Sequence, residues 1–238
     1  MSNRTIQENL SLLQQTRQNI SDALSGKGAT VTGAFSTFPN KVKGLNQVNE
    51  FMSSLMNRSV SMNNPVIDAA SSQRKTIKPY AFYECSGLTG SLVIGDNISS
   101  IGQFSFSGCS GFNGTLTIGK GVTTIGSSAF TNCSKFTGSL VIPDLVTSIG
   151  TGAFNRCSGF NGTLTIGTGV TRINNAAFSN IPNLQSMTIL ATTPPTLGNA
   201  TNSLGSTAYT YPIYVPAGSL SEYKNKYTAY AQRIYAIP

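Results

Sequence analysis

Cys85, Cys109, Cys133 and Cys157 stand 24 residues apart and are the chain's only thiols. A thiol becomes a nucleophile beside a base, or a metal ligand among partners, and histidine usually supplies both. This chain has no histidine. That removes Ser-His-Asp and Cys-His pairs together with the commonest metal ligand. The cysteines lack C-x-x-C spacing, so no zinc site is expected. Eight acidic residues are too dispersed to nominate a carboxylate pair. Gly114-Thr-Leu-Thr-Ile-Gly119-Lys120 imitates a phosphate loop, but Gly121 stands where Ser or Thr is required. Its copies, Gly90 to Asp96 and Gly162 to Thr168, lack the lysine. No catalytic residue, cofactor site or metal site is therefore assigned, and the expectation is a protein that is not an enzyme.

The spacing of the cysteines belongs to a longer pattern. Phe82, Phe106, Phe130, Phe154 and Phe178 keep the same 24-residue interval. Each unit reads roughly A-F-x-x-C-S-x-F-x-G-(S/T)-L-x-I-(G/P)-x-x-(V/I)-x-x-I-G from Tyr80 to Ile189. A fixed period of this length marks a solenoid, in which no unit can bury its apolar face alone. Two apolar pulses recur: Leu92-Val93-Ile94 with its copies, and Ile98/Ile101 with theirs. Alternation in the first predicts a short strand with Leu and Ile inward, closed by Gly95 or Pro143. After the second pulse, Gly126-Ser-Ser-Ala-Phe130 predicts a turn into one helical turn. Stacked units would align three internal ladders: the Phe82-type rings, Leu88/Phe112/Phe136/Phe160/Leu184, and the cysteines. Stacked cysteines have parallel Cα–Cβ vectors, which do not suit disulfide geometry, so buried free thiols are expected.

With chemistry excluded, function must lie on surfaces. The outward positions of the first strand are Ser91 and Val93, Thr115 and Thr117, Ser139 and Val141, and Thr163 and Thr165. They form either a solvated face chosen for β-propensity or a shallow docking face for glycan or protein. Only a tenth of the chain is charged, and the formal balance of +8 is uneven. Met1 to Tyr80 carries nine Lys/Arg against four acids, while the repeats are nearly neutral. That excess could suit an acidic partner or simply be a solvated surface. No basic stripe runs through the repeats, so no nucleic-acid partner is expected. No run of 18 apolar residues exists, so no membrane insertion is expected, and the first residues show no signal-peptide pattern.

Thr5 to Ser25 predicts a helix with a heptad seam of Ile6, Leu10, Leu13, Arg17, Ile20 and Leu24. The seam either packs on its own domain or self-associates, with Arg17 fixing register. Gly26-Lys-Gly28 stops it. Asn46 to Arg58 fits a second short helix, and Ser59 to Lys75 a connector or degenerate first repeat. At the other end Thr192-Thr-Pro-Pro-Thr196 breaks the pattern, and Ile213-Tyr-Val215 reads as a last strand. Ser219-Leu-Ser-Glu222 is a capping-box match opening a short helix, whose Leu220, Tyr223 and Tyr227 would cover the open end.

The repeat unit A-F-x-x-C-S-x-(L/F)…L-x-I-P…V-x-x-I-G resembles the BspA-type leucine-rich repeat, common in surface and adhesin-like proteins of gut bacteria and their phages. Ile213 to Lys226 and Tyr230 to Ile234 resemble that family's C-terminal cap. The resemblance spans Thr76 to Pro238 and implies a curved binding solenoid without naming a ligand. Thr5 to Leu45 resembles N-terminal segments of virion proteins of tailed phages infecting Bacteroides-type hosts. The expected architecture is α+β: a leucine-rich-repeat solenoid of 24-residue units behind an N-terminal helical, coiled-coil oligomerisation region. Residues 1–45 would be that region, 46–76 the connector or degenerate repeat, 77–190 the solenoid and 191–238 the cap. The resemblances imply a phage virion structural protein, a fibre or attachment component, or alternatively a bacterial cell-surface BspA-like adhesin. Expected partners are a second and third copy of the chain as a homotrimer, other virion proteins through the N-terminal region, and a host surface protein or glycan. The corresponding locations are the virion, assembled in the host cytoplasm, or the bacterial surface.

Overall fold

The computed structural model describes residues 62–63, 66–67 and 75–238. Each 24-residue unit contributes one layer with the same three faces in the same order. The first face comes from the first apolar pulse. Here β1 (Met62–Asn63) and β2 (Val66–Ile67) both pair with β4 (Leu88–Ile94), which pairs with β6 (Phe112–Ile118). The same face continues as β8 (Leu140–Ile142), β10 (Thr163–Ile166), β12 (Ser186–Ile189), β14 (Ile213–Val215) and β15 (Ile234–Ala236). The second pulse builds the second face. It runs through β3 (Lys75–Ile77), β5 (Ile98–Ile101), β7 (Thr124–Ile125), β9 (Ser148–Ile149), β11 (Arg172–Ile173) and β13 (Thr196–Leu197).

Every pairing is parallel, and the register sets like on like. Ile101 faces Ile125, Ile125 faces Ile149, and Ile149 faces Ile173. The described parts of 59–75 form a repeat layer, because Met62 pairs with Leu88 and Ile67 with Ile94. The two prolines after Thr193 do not end the stack. Thr196 still pairs with Arg172, and β14 and β15 extend the separate sheet that begins at β8 beyond the recognisable repeats.

The third face corrects one expectation. Gly126 to Phe130 forms turns and no helical turn. A helix would spend its N–H groups on carbonyls four residues back. Here alternate residues do two different things. Ala129, Thr131 and Cys133 close local turns onto Gly126, Ser128 and Phe130. Ser128, Phe130 and Asn132 instead donate to Thr151, Ala153 and Asn155 of the next layer. Aiming alternate N–H groups out of the layer requires a left-handed backbone at Ser128 (φ 53°) and Asn132 (φ 63°).

The core is laid down layer by layer. Phe82, Phe106, Phe130, Phe154 and Phe178 stack with centroids 5.0 to 5.4 Å apart and rings within 9° of parallel. These separations exceed ring thickness, so the rings are slipped into the favourable offset arrangement. Phe112, Phe136 and Phe160 form the second ladder, at 5.0 and 5.8 Å, with Leu88 and Leu184 buried at its ends. The cysteines form the third. All four are free and buried. Cys109, Cys133 and Cys157 donate to the carbonyls of Phe82, Phe106 and Phe130 at 2.9, 3.1 and 3.0 Å.

The C-terminal helix α1 (Leu220–Lys226) closes the stack by a different route from the capping box. Ser219 makes no side-chain cap, because its hydroxyl turns to the Thr192 carbonyl. Tyr223, Tyr227 and Lys226 likewise donate to the carbonyls of Ala191, Pro195 and Pro194 at 2.7, 2.6 and 2.7 Å. Tyr223 and Tyr227 are buried as expected, whereas Leu220 stays partly exposed. Arg233 sits beneath, its guanidinium 4.7 Å from the Tyr211 ring centroid and 5.2 Å from that of Tyr230. The seam of Ile6, Leu10, Leu13, Arg17, Ile20 and Leu24, and the short helix expected at 46–58, lie outside the described residues.

Candidate interaction face

The eight strand positions singled out in the sequence all face outward, and the fold divides them into two rows with different work. The first row is Ser91, Thr115, Ser139 and Thr163. Thr115 donates its backbone N–H to Ser91 Oγ at 3.0 Å, and Thr163 does the same to Ser139 Oγ at 3.0 Å. The threonine hydroxyls follow at 3.2 and 3.3 Å. These hydroxyls clasp one layer to the next. They are occupied in holding the fold, which leaves less of them for a ligand.

The second row is Val93, Thr117, Val141 and Thr165. Val93 lies in register with Thr117, and Val141 with Thr165. Val141 is 54 % exposed, the largest exposure of any apolar side chain in the row. The row does not stop at the recognisable repeats. Thr165 faces Thr188, Thr188 faces Tyr214, and Tyr214 faces Tyr235. Tyr235 is 49 % exposed, and the two tyrosine rings lie 6.4 Å apart. Thr188, Tyr214 and Tyr235 were missed in the sequence because their spacing leaves the 24-residue register. The period-two pattern of Ile213-Tyr-Val215 already pointed Tyr214 outward.

The clasps also reveal a longer period. Gly90 N donates to Asn113 Oδ1, and Gly138 N to Asn161 Oδ1, both at 2.8 Å. Lys120 N donates to Asp96 Oδ1 at 2.7 Å, and Thr168 N to Asp144 Oδ1 at 2.8 Å. Each pair recurs after 48 residues, so odd layers (Gly-Ser…Asp) alternate with even layers (Asn-Gly-Thr…Lys/Thr). The alternation fixes the glycines too. Gly90 and Gly138 take positive φ of 73° and 77°. Gly114 and Gly162 instead lie where a Cβ would stand 2.4 Å from the serine Oγ of the odd layer.

This repeat chemistry matches a known family model. Residues 75–202, more than half of the chain, match the BspA type leucine-rich repeat region in six copies. The chain belongs to the BspA-type leucine-rich-repeat family. No curated protein matches its sequence. Among solved structures it is similar to the leucine-rich repeat protein TpLRR of T. pallidum, with 20 % identity and a TM-score of 0.41 over 55 % of this chain and 74 % of that one. It is also similar to the pneumococcal vaccine antigen PcpA, with 16 % identity and a TM-score of 0.48 over 72 % of this chain and 44 % of that one. A leucine-rich repeat protein from Bacteroides ovatus ATCC 8483 gives 21 % identity and a TM-score of 0.47, over 65 % of this chain and 39 % of that one.

The BspA-type layers leave their thiols chemically quiet. Burial pushes the Cys85 thiol up to about 11, and raises Cys109, Cys133 and Cys157 further. A protonated, buried thiol is a poor nucleophile and a poor metal ligand. Among the described residues no group of three or more His, Cys, Asp or Glu is placed to hold a metal ion. Gly114 to Ile118, the imitation phosphate loop, lies within β6, and the Lys120 N–H is taken by Asp96. Among the described residues no helix is long and apolar enough to cross a membrane.

Proposed function

We propose that this BspA-type protein is a non-enzymatic display protein whose solenoid docks on a host surface protein or glycan. The observation that carries the reading is the division of labour on the first face of the solenoid. One outward row is consumed by interlayer clasps, while the row from Val93 to Tyr235 is solvent-facing and makes no clasp. The finer reading is a tailed-phage virion protein, a fibre or attachment component. Its support is the resemblance of Thr5 to Leu45 to virion segments. The seam of Ile6, Leu10, Leu13, Arg17, Ile20 and Leu24 would then hold a homotrimer, with residues 1–45 also meeting other virion proteins. Family membership favours a second reading, a bacterial cell-surface adhesin. Gold-labelled antibody against the solenoid separates the two. Label on purified particles supports the virion protein, and label on intact bacterial cells but not on particles overturns it. Light scattering on the whole chain should give three times the monomer mass, and a monomer at tens of micromolar would remove the trimer.

A further inference from the structure

In a stack of similar layers, a residue that departs from its copies is read against internal controls. One position, at Tyr80, Phe104, Ser128, Gly152 and Ala176, has positive φ in five successive layers: 60°, 54°, 53°, 62° and 54°. That backbone suits glycine, costs small residues a little, and is an outlier for bulky ones. Two layers nevertheless place aromatic rings there. A third ring, Tyr83, occupies the position where later layers carry Ser107, Thr131, Asn155 and Ser179. These rings are not core. Tyr80 is 47 % and Tyr83 42 % exposed, and Phe104 is half-buried. They hold one another in place: Tyr80 stacks on Phe104 at 5.1 Å and 12°, and Tyr83 stands edge-on to them at 5.7 and 6.4 Å. The cluster lies on the turn face, not on the strand rows.

We propose that Tyr80, Tyr83 and Phe104 form a platform that binds a neutral saccharide, a proposal that rests on the display reading above and names its ligand class. Apolar C–H faces of a sugar ring pack on aromatic faces, and tyrosine adds a hydroxyl at the edge. Charge excludes the anionic alternatives. The flanking Lys78 and Glu84 have opposite signs, and the Glu84 carboxylate beside it raises the Tyr83 hydroxyl above its ordinary value. No net positive field is left to draw a nucleic acid or an anionic lipid surface. Area excludes a stable protein interface. At about 200 Å² per aromatic side chain, three part-exposed rings offer on the order of 250 Å². A protein partner needs roughly 800 Å² per side.

The test is affinity electrophoresis of the full chain through gels containing yeast mannan, starch or barley β-glucan, with heparin as the anionic control. The copies supply substitutions the layers already accept: Tyr80→Ala as in Ala176, Phe104→Ser as in Ser128, and Tyr83→Thr as in Thr131. The wild type should be retarded by at least one neutral polysaccharide, and any heparin retardation through the basic residues of this +8 chain should be equal in wild type and Tyr83→Thr. The Tyr80→Ala/Tyr83→Thr pair should weaken retardation about tenfold, the scale of one lost ring contact, at an unchanged melting temperature. Tyr83→Thr alone avoids both strained positions and decides the matter if the pair alters stability. Retardation by no neutral polysaccharide, or equal retardation of wild type and Tyr83→Thr by the neutral polysaccharide, would overturn the platform. So would heparin retardation that Tyr83→Thr abolishes. Retardation abolished by Val93→Ser on the strand face, with the aromatic variants unaffected, would sink the platform and leave the display reading standing.

Discussion

The alternation of odd and even layers makes a prediction whose size depends on the background. Asp144 accepts the Thr168 backbone N–H at 2.8 Å and the Thr168 hydroxyl at 3.1 Å. Both bonds are exposed, so Asp144→Ala in the full chain should cost about 1 kcal/mol, the ordinary net value of a hydrogen bond. Deleting Phe106 to Ala129 removes one full period and stacks odd layer on odd layer. Asp144 then takes the place of Lys120, one layer from Asp96. Two carboxylates at the interlayer spacing of ~5 Å repel by about 1 kcal/mol in water, and more where the protein lowers the dielectric. Asp144 keeps its Thr168 clasp in that background, so there Asp144→Ala should be nearly neutral, the lost clasp offset by the relieved repulsion. Urea melts of the four proteins measure the ~1 kcal/mol difference between backgrounds. Asp144→Asn, which keeps an acceptor and drops the charge, should be nearly neutral in the full chain and still stabilise the deletion. Deleting Phe106 to Ala153, two periods, sets the even layer of Asn161, Thr163 and Thr168 on Gly90, Ser91 and Asp96, and should retain the clasps. An equal cost of Asp144→Ala in both backgrounds, with Asp144→Asn failing to stabilise the deletion, would refute the alternation.

Phe130 is fully buried between Phe106 and Phe154, each 5.2 Å away, so Phe130→Ala should cost about 3–5 kcal/mol by chemical denaturation. Ser105 buries its hydroxyl without a hydrogen-bond partner at a position where Ala81, Ala129, Ala153 and Ala177 stand in other layers. Ser105→Ala should therefore stabilise by about 1 kcal/mol, and a loss in melting temperature would mean the hydroxyl has a role the fold needs. All four thiols should resist maleimide in the folded protein and react after denaturation without reductant; two or none reacting would indicate a disulfide. Their folded-state values lie above the ordinary 9.0, so the native state holds these protons more tightly than the unfolded chain. Stability should be full below about pH 9 and fall as pH rises through the folded values, and a urea midpoint that climbs from pH 8 to pH 10.5 would contradict this.

How much of this was legible in the sequence depended on whether a feature repeats at 24 residues. Strand order, parallel register and the Phe and Cys ladders follow from that period alone, because stacking turns identity in sequence into neighbourhood in space. The 48-residue clasps were hidden by the consensus itself. Writing (S/T) merged Ser91 with Thr115, and writing x hid Asn113 and Asp96, which erased the alternation that the hydrogen bonds use. The turn face was misread as helical because Ser-Ser-Ala-Phe carries no glycine to mark left-handed backbone. Ser128, Asn132 and Arg156 adopt it regardless, at φ 53°, 63° and 61°, since the bonds to the next layer over-determine them. The capping box failed for a tertiary reason. The proline-containing segment at 192–196 presents carbonyls with no strand ladder to meet them, and Ser219 is drawn to one.

The same reasoning says where function should be sought in such a chain. A residue shared by every layer is fixed by the stack. Phe130 cannot change without opening a cavity, and Cys133 cannot change without disturbing the Phe106 carbonyl it serves. Such residues carry no information about a ligand. Information resides where a layer pays a conformational cost that its copies avoid. Tyr80 and Phe104 meet that condition, since Gly152 and Ala176 show that the backbone there is satisfied by far less. Val141 does not, because a β-branched residue on an outward strand position is ordinary even at 54 % exposure. The clasped strand row therefore explains how the solenoid is held together, the row from Val93 to Tyr235 is the face it presents, and the exposed rings of the turn face are the feature that stability leaves unexplained.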